Sequence, residues 1–192
     1  MEEIDYIKKI DDLADKHLTR IDEKRLVRRV TRNDKFCIWT GCINNKHHYG
    51  KFGLAKHTYE VLLLAFNSKE TLGISDIDNA ELFFSCLFHD IGKIYDYEPV
   101  DGTDYSEWTS TDHKRLIDHI SRSGIYWSNN VSFYPEMCLK YHDSVLHAIL
   151  AHHGRRELGS PVSPKSKVSW LLHLCDGISA RMDDWDRIDL RN

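Results

Sequence analysis

Apolar residues recur at helical spacing through most of the chain. Residues 2–19 carry isoleucine, leucine and alanine at intervals of three and four, which predicts an amphipathic helix. A weaker, basic helix is predicted over 21–31, and the pattern resumes over 54–68. Residues 33–54 hold three glycines among asparagine and aspartate, so we expect a loop there.

The most apolar stretch lies near the middle of the chain. Residues 80–88 are apolar nearly all round, so we expect the helix over 78–90 to be central and buried. This helix delivers His89 and Asp90 at its C-terminal end. An irregular segment is predicted over 96–110 because it contains both proline and glycine.

Three further segments complete the pattern. A helix is predicted over 111–123 and ends at Gly124, and a second is predicted over 135–153. A turn-rich loop covers 154–164, and the last helix covers 165–184. No run of alternating strand residues stands out, so the predicted fold class is all-α.

Composition narrows the class of protein. The chain has 192 residues, enough for one domain with a buried core, and a net charge of −4, which excludes a basic protein that coats nucleic acid. The five cysteines are odd in number and scattered, as is typical of free thiols in a reducing compartment. No signal peptide or membrane-length apolar run is present, so we expect a cytoplasmic protein without a membrane partner.

Histidines and carboxylates form an ordered series along the predicted helices. Its members are His57, His89, Asp90, His119, His152, His153 and Asp176. A carboxylate beside an imidazole in apolar surroundings costs several kcal/mol unless something pairs with it. A divalent transition metal is a natural partner, because imidazole nitrogen and carboxylate oxygen suit such ions.

This series resembles the HD-domain metal-dependent phosphohydrolase superfamily, and more closely the HD domain of the YhaM-type 3′→5′ exoribonucleases. The matching stretches are Lys46–Tyr49, Gly53–His57, Phe88–Lys93, Asp118–Ile120, His147–Gly154, Gly159–Pro161 and Leu172–Asp176. The resemblance implies a helical bundle with an inward-facing His/Asp metal site. It divides a single HD domain, 1–192, into an N-terminal helical extension and loop, 1–43, and an HD core, 44–185.

Two features depart from the exoribonuclease pattern. That family usually carries an N-terminal OB domain, whereas residues 1–43 are predicted as helix and loop, which favours short substrates. After Asp176 the family tends to carry a second acidic residue about one turn on, where this chain has Ser179. Both differences concern the substrate more than the metal site.

The resemblance implies two divalent ions, drawn from Mn, Fe, Ni, Co and Zn. One ion is assigned to His57, His89, Asp90 and Asp176. The second is assigned to Asp90, His119 and one or both of His152 and His153. Asp90 would bridge the two metals, and a water shared between them would become the hydroxide that attacks phosphorus.

Candidate substrate contacts lie beside the metal set. Lys93, one turn from Asp90, is expected to be catalytic by contacting a phosphate oxygen or assisting the leaving group. The other candidates for substrate binding are His48, His147, Arg155 and Arg181. The two histidines match exoribonuclease motif positions outside the metal set, and the two arginines lie where that family is basic. His147 has an alternative role in holding a metal ligand in place.

Several functions remain open at this stage. The preferred one is a phosphohydrolase that cleaves phosphodiester bonds of a nucleotide or short oligonucleotide, as a 3′→5′ exonuclease or phosphodiesterase. The alternatives are a nucleotidase or nucleoside triphosphate phosphohydrolase, and a two-iron oxygenase of the inositol oxygenase kind. A non-catalytic sensor is disfavoured because every expected ligand is present. The oligomeric state stays open, since the first helix could pack on the core or on a second subunit.

Overall fold

The computed structural model describes residues 5–43 and 46–185. Its helices are α1 Tyr6–His17, α2 Ile21–Thr31, α3 Asp34–Ile38, α4 Gly53–Thr71, α5 Asn79–Phe88, α6 Lys93–Asp96, α7 Asp112–Leu116, α8 His119–Val131, α9 Pro135–Ala151 and α10 Lys167–Trp185. Strands β1 Tyr97–Pro99 and β2 Trp108–Ser110 pair antiparallel, and a 3₁₀ turn covers Arg156–Leu158. The all-α class is confirmed.

Helix α5 lies at the centre of the bundle. Nearly all its side chains are buried, and it packs against α4, α9 and α10, while α8 packs on α9 and α1 packs on α4. Asp78 caps α5 by accepting hydrogen bonds from the amides of Ala80 and Glu81. The predicted central position of this helix is confirmed, and its C-terminal end therefore points into the bundle.

The predicted helix over 111–123 is wrong in its bounds. The chain forms two helices there, because Asp118 adopts a left-handed backbone (φ 64°) and caps α8 through the amide of Ser121. Gly124 does not end α8 but lies inside it. A Cβ at Gly124 would lie 2.9 Å from Leu146 Cδ1, so this glycine permits the close approach of α8 to α9.

Two segments predicted as irregular contain regular structure. Helix α3 lies within the predicted loop 33–54, because Asn33 caps it and Phe36 anchors it in the core. The β1–β2 pair lies within 96–110, too short for a periodic signal. Elsewhere the predicted helices agree with the structure to within a few residues, and positions 2–4 of the first predicted helix lie outside the described residues.

The length and apolar character of the helices in the described ranges bear on membrane insertion. None of them combines the length and the apolar character that a bilayer crossing requires.

Candidate metal centre

The predicted ligands are carried by five helices that meet around the end of α5. His89 is the C-cap of α5 with Asp90 directly after it, His152 is the C-cap of α9, and His119 is the first residue of α8. His57 lies within α4, and Asp176 lies within α10. Local helix signals therefore place each side chain, and packing around α5 brings them together.

A close contact between two backbones brings His119 to Asp90. A Cβ at Gly92 would lie 2.2 Å from the carbonyl oxygen of His119, so only glycine fits between the turn after α5 and the start of α8. The Gly92 amide donates to Ser123 Oγ at 2.9 Å, which fixes this junction. The glycine two residues after Asp90 is thus a requirement of the site's geometry.

One group of ligand atoms surrounds the Oδ2 side of Asp90. His57 Nε2 lies 3.3 Å and His89 Nε2 3.4 Å from Asp90 Oδ2, and His57 Nε2 lies 3.0 Å from Asp176 Oδ1. Ligand atoms of these four residues all lie within 4.8 Å of one another. They form the four-residue set that the sequence predicted for one metal.

A second group faces the other oxygen of Asp90. His119 Nε2 lies 3.5 Å and His152 Nε2 3.6 Å from Asp90 Oδ1. His153 joins these two histidines in a group whose ligand atoms lie within 4.8 Å of one another. Each oxygen of Asp90 therefore faces a different set of imidazoles, as a bridging carboxylate requires.

Three buried polar atoms of this second group fit a cation. Asp90 Oδ1, His119 Nε2 and His152 Nε2 are buried and have no hydrogen-bond partner among the described residues. An unsatisfied buried polar group costs about 1–3 kcal/mol. The three atoms lie within 4.8 Å of one another, and a divalent ion between them would satisfy all three, so the residues fit a metal.

The opposite ring nitrogens of the ligands are held by hydrogen bonds. His89 Nδ1 donates to the carbonyl oxygen of Cys86 at 2.7 Å, and His152 Nδ1 donates to that of Ile149 at 2.6 Å. His57 Nδ1 lies 3.0 Å from a hydroxyl oxygen on α10. The two bonds to carbonyl oxygens leave Nε2 of His89 and of His152 free to bind an ion, which is the arrangement of metal-binding histidines.

Asp96 is a functional candidate that the sequence analysis missed. It is buried at the end of α6, and its Oδ2 lies 3.4 Å from His119 Nδ1 while its Oδ1 accepts from His113 Nδ1 at 2.8 Å. Arg122 Nε donates to His113 Nε2 at 2.9 Å. The only sequence signal was an acidic residue shortly after Lys93.

Glu60 and Ser179 were missed as well, and they replace the expected acidic residue on α10. Ser179 Oγ donates to Glu60 Oε2 at 2.8 Å and lies 3.0 Å from His57 Nδ1. Glu60 lies three residues after His57, which puts both on one face of α4. The carboxylate that supports His57 therefore comes from α4, and the Ser179 hydroxyl connects it to the imidazole ring.

The charges of the site suit a cation. Burial would raise the pKa of Asp90, but Lys93 and His89 lower it well below its ordinary value. Burial would likewise raise the pKa of Asp176, which His57 lowers. Burial alone would lower the pKa of His57, yet the two carboxylates raise it to about 9. A positive charge at this position is therefore favoured, whether a proton or a metal ion supplies it.

Two histidines of the second group, His152 and His153, favour the neutral form. Burial lowers the pKa of His152, and burial together with His152 lowers the pKa of His153 to about 4. Neutral imidazoles are the form that binds metals. These two histidines are therefore in the form that binds an ion.

A cleft of about 320 Å³ opens onto both groups. Its lining includes Asp90, His119, His153 and Asp176 from the ligand set, together with Lys93. Cys42, His47, Tyr97 and His173 also line it, and none of these was a sequence candidate. They reach the cleft because the loop before α4, strand β1 and helix α10 fold against it.

The predicted substrate contacts occupy different places. Lys93 lines the cleft, with Nζ 2.5 Å from Asp90 Oδ2. His48 is buried and bonded to Glu60 at 2.8 Å, and His147 Nε2 accepts from the backbone amide of Lys165 at 3.1 Å. The remaining two candidates are exposed and do not line the cleft: Arg155 and Arg181. Of these five, the structure brings Lys93 to Asp90 and into the cleft, and it places His48 beside His57 but buried and outside the cleft lining.

Comparison with known proteins agrees with this geometry. The chain matches the HD domain family over residues 54–181. It is 28% identical to the 3′-5′ exoribonuclease YhaM of Bacillus pumilus over 169 residues, 84% of this chain and 50% of that protein. It is 30% identical to the protein of the same name from Oceanobacillus iheyensis over 166 residues, 83% of this chain and 48% of that protein.

The chain spans about half the length of the curated relatives that it matches. No solved structure matches it significantly. The family match begins at α4 and ends in α10, so it contains all seven predicted ligands. The chain therefore belongs to the HD domain family.

Proposed function

We propose that this chain is a metal-dependent phosphohydrolase that cleaves phosphodiester bonds at the 3′ end of a nucleic acid or short oligonucleotide. The observation that carries the proposal is the position of Asp90, whose two carboxylate oxygens face two separate groups of candidate metal ligands. The relatives named 3′-5′ exoribonucleases support the 3′ end and the diester bond.

Two ions would be held by the two groups. The first set is His57, His89, Asp90 and Asp176, and the second is Asp90, His119, His152 and His153. Mixed imidazole and carboxylate ligands suit Mn, Fe, Co, Ni or Zn. When bound, such ions supply positive charge for phosphoryl oxygens and lower the pKa of water.

The chain's own residues supply the other requirements. Burial would lower the pKa of Lys93, but Asp90 raises it, so a permanent ammonium group lines the cleft. An ammonium beside the ligand groups can donate a hydrogen bond to a phosphate oxygen as negative charge develops there. The ionised carboxylates hold the histidines and this lysine in place before substrate binds.

The size of the cleft favours a chain end as substrate. Its volume of about 320 Å³ lies at the low end of the range for small-molecule sites, roughly 300–1,000 Å³. A space of this size suits one nucleotide rather than a folded RNA or a duplex. This supports an exonuclease or phosphodiesterase that acts on short or single-stranded substrates.

A paired assay tests the proposal. Metal-stripped protein is reloaded with Mn²⁺ and given a chromogenic phosphate diester and the matching monoester. We expect hydrolysis of the diester and its loss in Asp90→Asn. Cleavage of the monoester alone would favour a nucleotidase, and turnover of neither would leave a triphosphohydrolase or an iron oxygenase as the better explanation.

A second assay tests the direction of cleavage. A single-stranded RNA labelled at its 3′ end should release a labelled mononucleotide in the first turnover, whereas the same RNA labelled at its 5′ end should give a ladder of shortened products. Release of labelled mononucleotide first from the 5′ label would contradict the 3′ assignment.

A further inference from the structure

A row of aromatic and arginine side chains runs from the cleft along helix α8. His119, which lines the cleft, is the first residue of this helix. Arg122 and Tyr126 follow at intervals of three and four, so they lie on the same face of the helix as His119. Phe133 comes shortly after Val131, the last residue of the helix. The helix therefore carries side chains of these two kinds away from the candidate metal centre.

Neighbouring elements add one member at each end of the row. Arg122 lies over the ring of Tyr95 in α6, with its Cζ 4.9 Å from the ring centroid. Arg29 in α2 lies over the ring of Phe133, with its Cζ 4.4 Å from the ring centroid. We name five residues the α8 track: Tyr95, Arg122, Tyr126, Arg29 and Phe133. Each end of the track thus consists of an arginine over an aromatic ring.

Tyr126 connects the two ends of the track. It is half-buried, and its ring centroid lies 6.2 Å from that of Phe88 in the core. Burial and Tyr95 raise the pKa of its hydroxyl, whereas Asn33 and Arg29 lower that pKa, because these groups lie close to it. The track is therefore continuous from the cleft to α2.

Both ends of the track are accessible and carry positive charge. Tyr95 is 39% exposed, Phe133 is 64% exposed, and Arg29 is exposed as well. Neither arginine of the track forms an ion pair with a carboxylate of the described residues, whereas Arg28, directly before Arg29, pairs with Asp15 at 3.6 Å. The track thus offers two unpaired guanidinium groups on a chain whose net charge is −4.

We propose that the α8 track binds a single-stranded nucleic acid on the 5′ side of the phosphate that reacts in the cleft. Guanidinium groups stay charged at neutral pH and match the geometry of phosphate oxygens. Unpaired bases stack both on aromatic rings and on guanidinium planes. A duplex keeps its bases paired and would offer the track only its phosphates. This inference rests on the proposed function, in which the 3′ end of the strand enters the cleft.

The length of α8 sets how many nucleotides the track reaches. An α-helix rises about 1.5 Å per residue, so Phe133 lies about 20 Å from His119 along the helix axis. A stacked strand advances about 3.4 Å per nucleotide, so the far end of the track would meet roughly the sixth nucleotide from the 3′ end. Longer strands should gain little further affinity from the track.

Binding of RNA to the metal-free full chain tests the track without turnover. Fluorescence anisotropy is measured with labelled single strands of about three and about ten nucleotides, over a range of salt concentrations. Phe133→Ala should weaken binding of the long RNA by about fivefold or more and leave the short RNA unchanged. Arg29→Gln should also weaken only the long RNA, and it should reduce the slope of log affinity against log salt by about 0.7, the value for one phosphate contact on a single strand.

Two control variants change matched groups away from the track. Lys167→Gln removes a positive charge from a side chain that is 62% exposed, and Leu139→Ala truncates a residue that is 92% exposed. Both should bind the two RNAs as the wild type does. Wild-type affinity for the long RNA in Phe133→Ala and Arg29→Gln, or equal losses for both RNAs, would overturn the inference. Equal affinity of the wild type for a duplex of the longer sequence would overturn it too, because paired bases cannot stack on the track.

Turnover separates this inference from the proposed function. With the Mn²⁺-loaded full chain, kcat/KM should rise with RNA length up to about six nucleotides in the wild type. The double variant Arg29→Gln/Phe133→Ala should lack this rise and should cleave a dinucleotide as the wild type does. A wild-type kcat/KM that does not depend on length would contradict the track while the proposed function stands. If the wild type hydrolyses no diester, the proposed function fails, and anisotropy still decides whether the track binds single strands.

Discussion

Asp90 is the residue on which both ligand groups depend. Asp90→Asn keeps the size of the side chain but removes the charge between four imidazoles and Lys93. We expect loss of metal binding and of hydrolysis, because Asp90 is the anionic ligand that the two groups share. Metal content after dialysis measures this. Asp143→Asn, whose side chain is 99% exposed, is the matched control and should bind as the wild type.

A variant of Lys93 distinguishes metal binding from the proposed contact with phosphate. Its ammonium touches Asp90 but belongs to neither ligand group. Lys93→Met preserves the length of the side chain, so we expect retained metals and a kcat lowered by about 10²–10³-fold, as for other transition-state donors. Steady-state kinetics and metal analysis of the same sample measure both quantities. Loss of the metals would show that the lysine acts through Asp90.

Asp96 holds one histidine of the second group. Asp96→Asn places a neutral amide beside His119 Nδ1. The amide lacks the negative charge with which Asp96 holds that ring in place. Removing such a supporting carboxylate lowers metal affinity by about 10–100-fold. A metal titration should therefore weaken in one of its two phases only. Equal weakening of both phases, or no change relative to the exposed control Asp101→Asn, would contradict this role.

At the scale of an element, the start of α5 determines where His89 and Asp90 arrive. Asp78 caps this helix and pairs with Lys140 at 2.8 Å. Asp78→Ala should lower the free energy of unfolding by about 0.5–2 kcal/mol, the usual cost of a lost N-cap. Urea denaturation at neutral pH measures it. An unchanged midpoint would mean that packing alone holds the helix start.

The same cap gives a pH dependence. Burial would raise the pKa of Asp78, but Lys140 and two backbone amides lower it below its ordinary value of 3.8. The stabilisation from this group is therefore complete above pH 3.8 and is lost as the pH falls through the lower folded value. The difference in unfolding free energy between wild type and Asp78→Ala should shrink over that acidic range.

At the scale of the whole molecule, the candidate metal centre joins five helices. Its ligands come from α4, α8, α9 and α10 and from the end of α5. An ion that binds only the folded chain stabilises it by about 2.7 kcal/mol at a hundred times its Kd, which is roughly 5–10 °C in Tm for a chain of this size. Thermal denaturation with Mn²⁺ and with a chelator measures this. Identical Tm values would contradict binding to the folded state.

The sequence by itself determined the helices and the candidate ligands. Apolar periodicity is local, so the central helix α5 and the long helices α4, α9 and α10 could be predicted without any contact information. The ligands were recognisable because histidine and aspartate at those positions are costly to bury without a cation.

Only the tertiary structure decided which residues hold the candidate ligands in place and which residues line the cleft. Glu60 and Asp96 carry no periodic signal, and each acquires its role from a partner on another element. The break at Asp118 also escaped prediction, because it depends on one left-handed residue rather than on a pattern. Hydrogen-bond networks connect residues that are distant in sequence, so the donor and acceptor at each position appear only when the helices are packed.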